Sequence, residues 1–132
     1  MGRKVAFMAN ILEKTGVVVS NRHLSDRLWI IDIKVDALGV DLMPGQFVHM
    51  LIPGMEGHIL RRPFSVFYVS EDGSVITILY QVVGFGSKHL TTVEPGMAVN
   101  LMGPIGHGWN APEGVSSALL VAGGVGAAPL FL

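Results

Sequence analysis

The sequence contains no cysteine among its 132 residues. This absence excludes disulfide-stapled scaffolds, thiolate zinc sites, cysteine nucleophiles and iron–sulfur clusters from the chain. A chain of this length suits one ordinary domain, which buries about two-thirds of the surface of its unfolded chain. A hydrophobic core can therefore hold the fold without covalent or metal staples.

Charge is also scarce. Only 14% of the residues are Asp, Glu, Lys or Arg, and the formal net charge is −1. The basic residues are scattered and form no patch or stripe, so a nucleic-acid partner is not expected. In a chain with so little charge, the adjacent pair Arg61 and Arg62 is conspicuous.

Long uncharged runs are rare, but one occupies residues 114–132. Its length suffices for a membrane span, whereas the glycines at 123, 124 and 126 disfavour a spanning helix. We predict instead a buried parallel strand over 116–122, a glycine turn over 123–126 and a helix that starts near Pro129. Residues 114–132 are then the start of a truncated second domain after a first domain over 1–113. The first sixteen residues do not make a convincing signal peptide.

The body of the chain alternates with a period of two, which indicates β-strands. Turn chemistry separates the runs, as in the Ser70–Ser74 stretch between two β-branched and aromatic segments. Residues 87–93 break the alternation and predict one short helix. We expect a mainly β fold, a small antiparallel barrel or sandwich of six strands, over these ranges: 17–20, 28–35, 47–52, 64–69, 75–83 and 98–102.

Familiar catalytic patterns are missing. The histidines show no metal-ligand spacing, so a metal site is not expected; they lie at positions 23, 49, 58, 89 and 107. The sequence also lacks the G-x-S-x-G pattern of a hydrolase nucleophile.

Two glycine-rich turns could serve a ligand. Gly84–Lys88 follows a strand, and Ser87 as the N-cap of the next helix would offer free N–H groups to a phosphate. A plain strand-to-helix connection explains this turn equally well. Gly123–Pro129 has the G-x-G spacing of a dinucleotide turn, although Pro129 replaces the last small residue.

The stretch Arg61–Ser65 carries the most varied chemistry. Arginine can clamp a phosphate, Phe64 can lie against a flat ring and Ser65 can hydrogen-bond a ring heteroatom. The start of an edge strand is the alternative, because proline is tolerated there and arginine discourages further pairing.

The order of these motifs resembles the ferredoxin–NADP reductase superfamily. The resemblance covers the chain from about Val17 to its end, and it rests on five ordered segments: Arg62–Ser65, Leu79–Gln81, Gly84–Ser87, Gly103–Gly106 and Leu120–Pro129. The Arg-Arg-Pro-Phe-Ser form and the stretch from Met102 to Trp109 are most similar to the electron-transfer subunits of dihydroorotate dehydrogenase. The resemblance implies a Greek-key FAD-binding barrel.

The resemblance also implies roles for individual residues. Arg62 would meet the FAD pyrophosphate, and Pro63 would belong to the same cofactor-binding stretch. Phe64 would pack beside the isoalloxazine, and Ser65 would reach its reactive ring edge. The remaining positions would line the ribityl and adenosine side or hold the pyrophosphate through backbone: Leu79, Tyr80, Gln81, Gly86 and Ser87. No side chain need act as a catalytic acid or base, because the flavin carries the chemistry.

In the family, electrons pass from NADH to FAD and then through a [2Fe–2S] cluster to a partner catalytic subunit. We expect FAD alone in this chain, because the cluster cysteines and most of the nicotinamide domain are missing. Gln81 stands where the family commonly has arginine. The resemblance implies a cytoplasmic protein in pyrimidine biosynthesis. The alternatives are a reductase subunit of a hydrogenase or sulfide-linked complex, or a non-catalytic barrel that self-associates through its C-terminal strand.

Overall fold

The structure is a computed structural model that describes residues 10–132. Residues 1–9 lie outside this range, so most of the N-terminal stretch that we considered as a signal peptide lies outside the described residues. In the described part of the chain, no helix is long and apolar enough to cross a membrane.

One antiparallel sheet forms the body of the fold. Its strands are, in chain order, β1 (Leu12–Ser25), β2 (Leu28–Lys34), β3 (Phe47–Leu51), β4 (Arg62–Ser65), β5 (Tyr68–Val69), β6 (Val75–Gln81) and β7 (Ala98–Ile105). They lie side by side in the order β4-β3-β7-β1-β2-β6-β5. The mainly β prediction is confirmed, with seven strands in place of six.

The additional strand arises where the predicted run over 64–69 divides. The amide of Val66 donates to the carbonyl of Gln46 at 3.4 Å, whereas the amide of Phe67 donates to Thr77 at 2.8 Å. The chain thus leaves the β3 side of the sheet and reaches β6 within two residues. Because β4 and β5 pair with different neighbours, they end as the two edges of a curved sheet that is not closed into a barrel.

The core lies inside this curved sheet. Alternate residues of β2 and β6 face it, and Ile31, Ile33, Ile76 and Ile78 are fully buried. Tyr80 is also buried, with 1% of its surface exposed. This alternation is the one that the sequence predicted for a strand with one better-buried side.

Helix α1 spans Phe85–Leu90 and confirms the predicted short helix. The prediction that Ser87 is its N-cap was wrong, because the N-cap is Gly84 in an extended conformation. Ser87 lies inside the first turn, where its hydroxyl oxygen accepts hydrogen bonds from the amides of Val83 and Gly84, at 2.9 and 3.1 Å. The serine therefore satisfies the amides that precede the helix instead of those that begin it.

The C-terminal segment differs from the prediction in one element. Residues 115–122 form no strand, and Leu119 and Val121 are 88% and 80% exposed. A strand needs a hydrogen-bonding neighbour, and no described strand runs beside this segment. A 3-10 helix over Gly124–Ala127 and helix α2 over Ala128–Phe131 follow, with Pro129 in the first turn of α2 as predicted.

The turn between β5 and β6 generates a pH prediction. The Asp72 carboxylate accepts hydrogen bonds from the Ser70 hydroxyl at 2.6 Å and from the Ser74 amide at 3.0 Å. These bonds lower the pKa of Asp72 from 3.8 to about 2. Since the folded pKa lies below the unfolded one, this stabilisation is fully present above about pH 4 and disappears as the pH falls through 2.

We therefore expect Asp72→Asn to lower the thermal midpoint near pH 6, and the gap to the parent protein to shrink between about pH 4 and 2. Thermal unfolding followed by circular dichroism measures this gap. Glu71→Gln is the matched control, because it removes a neighbouring carboxylate and leaves these bonds intact. A gap for Asp72→Asn that stays constant over this range would contradict the account.

Candidate functional site

The residues predicted to hold a cofactor come from three elements. Arg62 to Ser65 form the edge strand β4, Leu79 to Gln81 end strand β6, and Gly86 and Ser87 lie in the first turn of α1. The curvature of the sheet places β4 opposite the end of β6, because the rings of Phe64 and Tyr80 meet edge to face with centroids 6.1 Å apart. Residues that are distant in the sequence thus share one side of the sheet.

Arg62 of β4 lies against Gly86 of α1. A Cβ atom built on Gly86 would lie 3.1 Å from Nε of Arg62. Gly86 is buried beneath this side chain, so a larger residue would displace the guanidinium. Nη1 of Arg62 donates to the carbonyl of Leu60 at 2.5 Å, which fixes the direction of the side chain.

The surroundings of Arg62 and Gly86 are positively charged. The guanidinium of Arg62 lies beside the first turn of α1, whose amides have no partners within the helix, and that turn contains no acidic residue. A positive side chain and unpaired amides together favour an anion. The glycine leaves the backbone open to close approach, so this arrangement suits a phosphate or pyrophosphate group.

The two faces of β4 carry different residues. Arg62 and Phe64 pair with Met50 and Val48, which are fully buried, so they face the inner side of the sheet. Pro63 and Ser65 are on the opposite face by the alternation of a strand. Only a group at the open edge of β4 could therefore contact Phe64 and Ser65 together. An edge strand also offers unpaired backbone donors and acceptors, which a flat heterocycle can use.

Tyr80 is buried behind Phe64 and does not line an open surface. Its ring lies between Phe64 and Trp29, with ring centroids 6.1 and 6.4 Å away. Its hydroxyl donates to Oδ1 of Asn21 at 2.9 Å. Burial raises the pKa of Tyr80, against the effect of the Asn21 bond, so the hydroxyl keeps its proton and remains a donor. The Tyr80 side chain supports the site from the core.

Asn21 is a residue of this region that the sequence reasoning missed. Its Nδ2 donates to the carbonyls of Leu90 at 2.8 Å and Val93 at 2.9 Å, while its Oδ1 accepts from Tyr80. One side chain of β1 thus connects the end of α1 to β6. Asparagine is common in turns, so its type and position gave no signal of this role.

Leu79, Gln81 and Ser87 complete the predicted set. Leu79 is 9% exposed, and Gln81 is half-buried at the last position of β6. The Ser87 hydroxyl is engaged with the amides before α1, so its backbone amide is the group that remains for an anion. Ser87 follows Gly86 in α1, whereas Leu79 and Gln81 lie on the face of β6 opposite to Tyr80.

Two cavities lie elsewhere. One of about 400 Å³ is lined mainly by the loop after β3 and the start of β7, including Ile52, Met55 and Val99. Another of about 280 Å³ lies between the loop at 39–42 and the turn at 69–73. Neither is lined by a predicted cofactor residue, so neither coincides with the candidate site along β4 and α1.

A family model described as an oxidoreductase FAD-binding domain matches residues 15–109. The chain belongs to this FAD-binding domain family. Membership makes it a component of a flavin-dependent oxidoreductase, and the match contains strands β2 to β7 and all of β1 from Thr15 onward.

Relatives and solved structures extend this finding. The electron-transfer subunit of dihydroorotate dehydrogenase B (NAD(+)) from Desulforamulus reducens is 44% identical over 88 residues, which cover 67% of this chain and 34% of that protein. The corresponding protein from Lysinibacillus sphaericus is 36% identical over 115 residues, which cover 86% of this chain and 44% of that protein. The chain therefore spans less than half the length of these curated relatives.

Two solved structures share the fold. The Amycolatopsis cytochrome P450 reductase GcoB superposes with a TM-score of 0.76 at 20% identity, over 92% of this chain and 37% of that one. Phthalate dioxygenase reductase superposes with a TM-score of 0.73 at 20% identity, again over 92% of this chain and 37% of that one. At this identity the likeness concerns the architecture of the FAD-binding domain.

The Asn21 contacts generate a prediction for the whole site. We expect Asn21→Ala to lower the free energy of unfolding by about 2–3 kcal/mol, because it removes the partners of the Tyr80 hydroxyl and the Val93 carbonyl, both on buried residues. We also expect weaker flavin binding, because α1 loses its attachment to β1. Urea unfolding and a flavin titration measure both effects.

Asn110→Ala is the matched control, since Asn110 lies on an exposed part of the chain. It should leave stability and flavin affinity unchanged. Equal effects of the two substitutions would show that Asn21 has no special role in holding α1.

Proposed function

We propose that this chain binds FAD along β4 and α1 and serves in an electron-transfer subunit. The observation that carries the proposal is the cradle of Arg62 and Gly86 beside Phe64 on an open strand edge. Membership of the FAD-binding domain family and the names of the curated relatives support the same assignment.

In this proposal, Arg62 and the amides of Gly86 and Ser87 bind the pyrophosphate. Phe64 packs against the isoalloxazine, and Ser65 hydrogen-bonds its reactive edge. Leu79 and Gln81 line the ribityl and adenosine side, with Tyr80 behind them. When bound, the flavin supplies the hydride and one-electron chemistry. The side chains of this chain bind and orient the cofactor and exclude water from one face of it.

The proposed reaction places the subunit between NAD(H) and a partner dehydrogenase. The curated relatives carry the name of a dihydroorotate dehydrogenase subunit, so we propose the catalytic subunit of that enzyme as the partner. We propose residues 1–113 as the FAD-binding domain and residues 114–132 as the start of an NAD-binding domain. We propose that a [2Fe–2S] cluster and the full NAD(H) site of the subunit lie outside residues 1–132.

A titration of the chain with FAD, FMN and riboflavin tests the cofactor assignment. Folded protein should take up FAD and show flavin absorbance. Arg62→Ala should weaken FAD by about 10- to 100-fold, because it removes a charge-assisted hydrogen bond to a phosphate. The loss should be smaller for FMN and riboflavin, which lack the pyrophosphate.

The matched control is Arg61→Ala, because the neighbouring Arg61 forms an ion pair with Glu13 at 2.7 Å, away from Gly86. It should leave the FAD affinity close to that of the parent protein. Failure of folded protein to bind any flavin would refute the proposed function. Equal weakening of all three flavins by Arg62→Ala would refute the role of Arg62.

Light scattering tests the partner assignment against self-association through the exposed apolar segment 115–121. We expect a higher mass when the catalytic dihydroorotate dehydrogenase subunit is added. A mass that instead rises with the concentration of the chain alone, and that Leu119→Ser with Val121→Ser abolishes, would favour self-association.

A further inference from the structure

Two aromatic side chains outside helix α2 contact it. Nε1 of Trp109 donates to the carbonyl of Pro129 at 2.8 Å. The ring of Phe131 stacks on the ring of Phe67, with centroids 4.4 Å apart and planes inclined by 22°. We call these two contacts the clamp.

The Trp109 half of the clamp is fixed by the loop before β3. The Trp109 amide donates to the carbonyl of Pro44 at 2.7 Å. The indole lies directly over Gly45, where a Cβ atom would come within 2.6 Å of Nε1. Gly45 also has a φ of +90°, which favours glycine. The indole is therefore held in one place by a backbone that accepts no side chain.

The Phe67 half of the clamp lies next to the proposed flavin edge. Phe67 follows Ser65 by two residues, and its amide donates to Thr77 of β6 at 2.8 Å. The 3-10 helix over Gly124–Ala127 also lies beside β6. The clamp thus places α2 against Phe67, two residues along the chain from Ser65, and the glycine turn over 123–126 beside β6.

The segment that connects the sheet to the glycine turn does not fix the position of the turn. Residues 111–122 are exposed and contain no helix or strand. The contacts that locate the turn are therefore that of the 3-10 helix with β6 and those of α2: the clamp, the burial of Ala128 at 0% exposure and the packing of Leu132 against the core.

The turn presents an open face. Cβ atoms built on Gly123, Gly124 and Gly126 would meet no atom within 4 Å. Packing among the described residues therefore does not require glycine at these positions. Bare backbone held beside a cofactor edge permits the close approach of a second flat ligand.

We propose that Trp109 and Phe67 are positioning residues that set the glycine turn against the reactive edge of the flavin. Through Pro129 and Phe131 they fix how closely the turn approaches that edge and how far water reaches it. This inference rests on the proposed binding of FAD along β4, and it adds a role for residues that do not contact the cofactor.

The first test measures how accessible the bound flavin is to iodide, as the Stern–Volmer constant of its fluorescence. Phe67→Leu and Trp109→Phe should raise this constant several-fold, while the Kd for FAD changes less than twofold. Phe67→Tyr keeps the stacked ring, so its Stern–Volmer constant should equal that of the parent protein. Tyr68→Leu is the matched control, because it removes an exposed neighbouring aromatic ring outside the clamp.

The second test needs no cofactor. Hydrogen exchange of the amides of Gly126 and α2 should accelerate in Phe67→Leu and Trp109→Phe but not in Tyr68→Leu. Unchanged exchange would overturn the clamp. If exchange accelerates but iodide quenching does not change, the turn does not lie at the flavin edge. The same conclusion follows if a loss of FAD affinity accounts for the increase in quenching. If neither the parent protein nor any variant binds FAD, the proposed function fails, and the positioning role fails with it.

Discussion

The attachment of α1 to the sheet through Asn21 is the constraint on which the site depends. The amide of Asn21 holds the carbonyls of Leu90 and Val93, and its oxygen receives the Tyr80 hydroxyl. A helix of six residues has little stability of its own, so tertiary contacts must fix its direction. That direction brings Gly86 under Arg62, and Tyr80 in turn supports Phe64. One polar group therefore links the anion cradle to the aromatic surface.

Local patterns predicted most of the fold because burial of one sheet face imposes a period of two. The ranges of β2, β3 and β6 agree with that pattern to within two residues. Strand β1 is much longer than predicted, because Lys14, Thr15 and Arg22 interrupt the apolar alternation while the backbone pairing with β2 and β7 continues. The strand expected over 116–122 had the right residues but no neighbour, and the sequence of a segment does not state whether a partner strand lies beside it.

The motifs of the sequence predicted the residues of the candidate site, but they did not point to the residues that support it. Arg62, Phe64 and Gly86 stood out because charge, aromatic rings and glycine turns are conspicuous in this composition. Asn21 and Trp109 act through hydrogen bonds to carbonyls that are distant in the sequence, and no spacing rule reports such pairs. The N-cap of α1 shows the same difficulty, because it is Gly84 and not Ser87 as predicted. Both residue types are acceptable caps, and tertiary packing decided between them.

A crystal structure of the chain with bound FAD tests the central claim most directly. The account predicts the pyrophosphate between the guanidinium of Arg62 and the amide of Gly86, with the isoalloxazine along the edge of β4 beside Phe64 and Ser65. FAD bound instead in the apolar cavity lined by Ile52, Met55 and Val99, with Arg62 and Gly86 free of the cofactor, would contradict it.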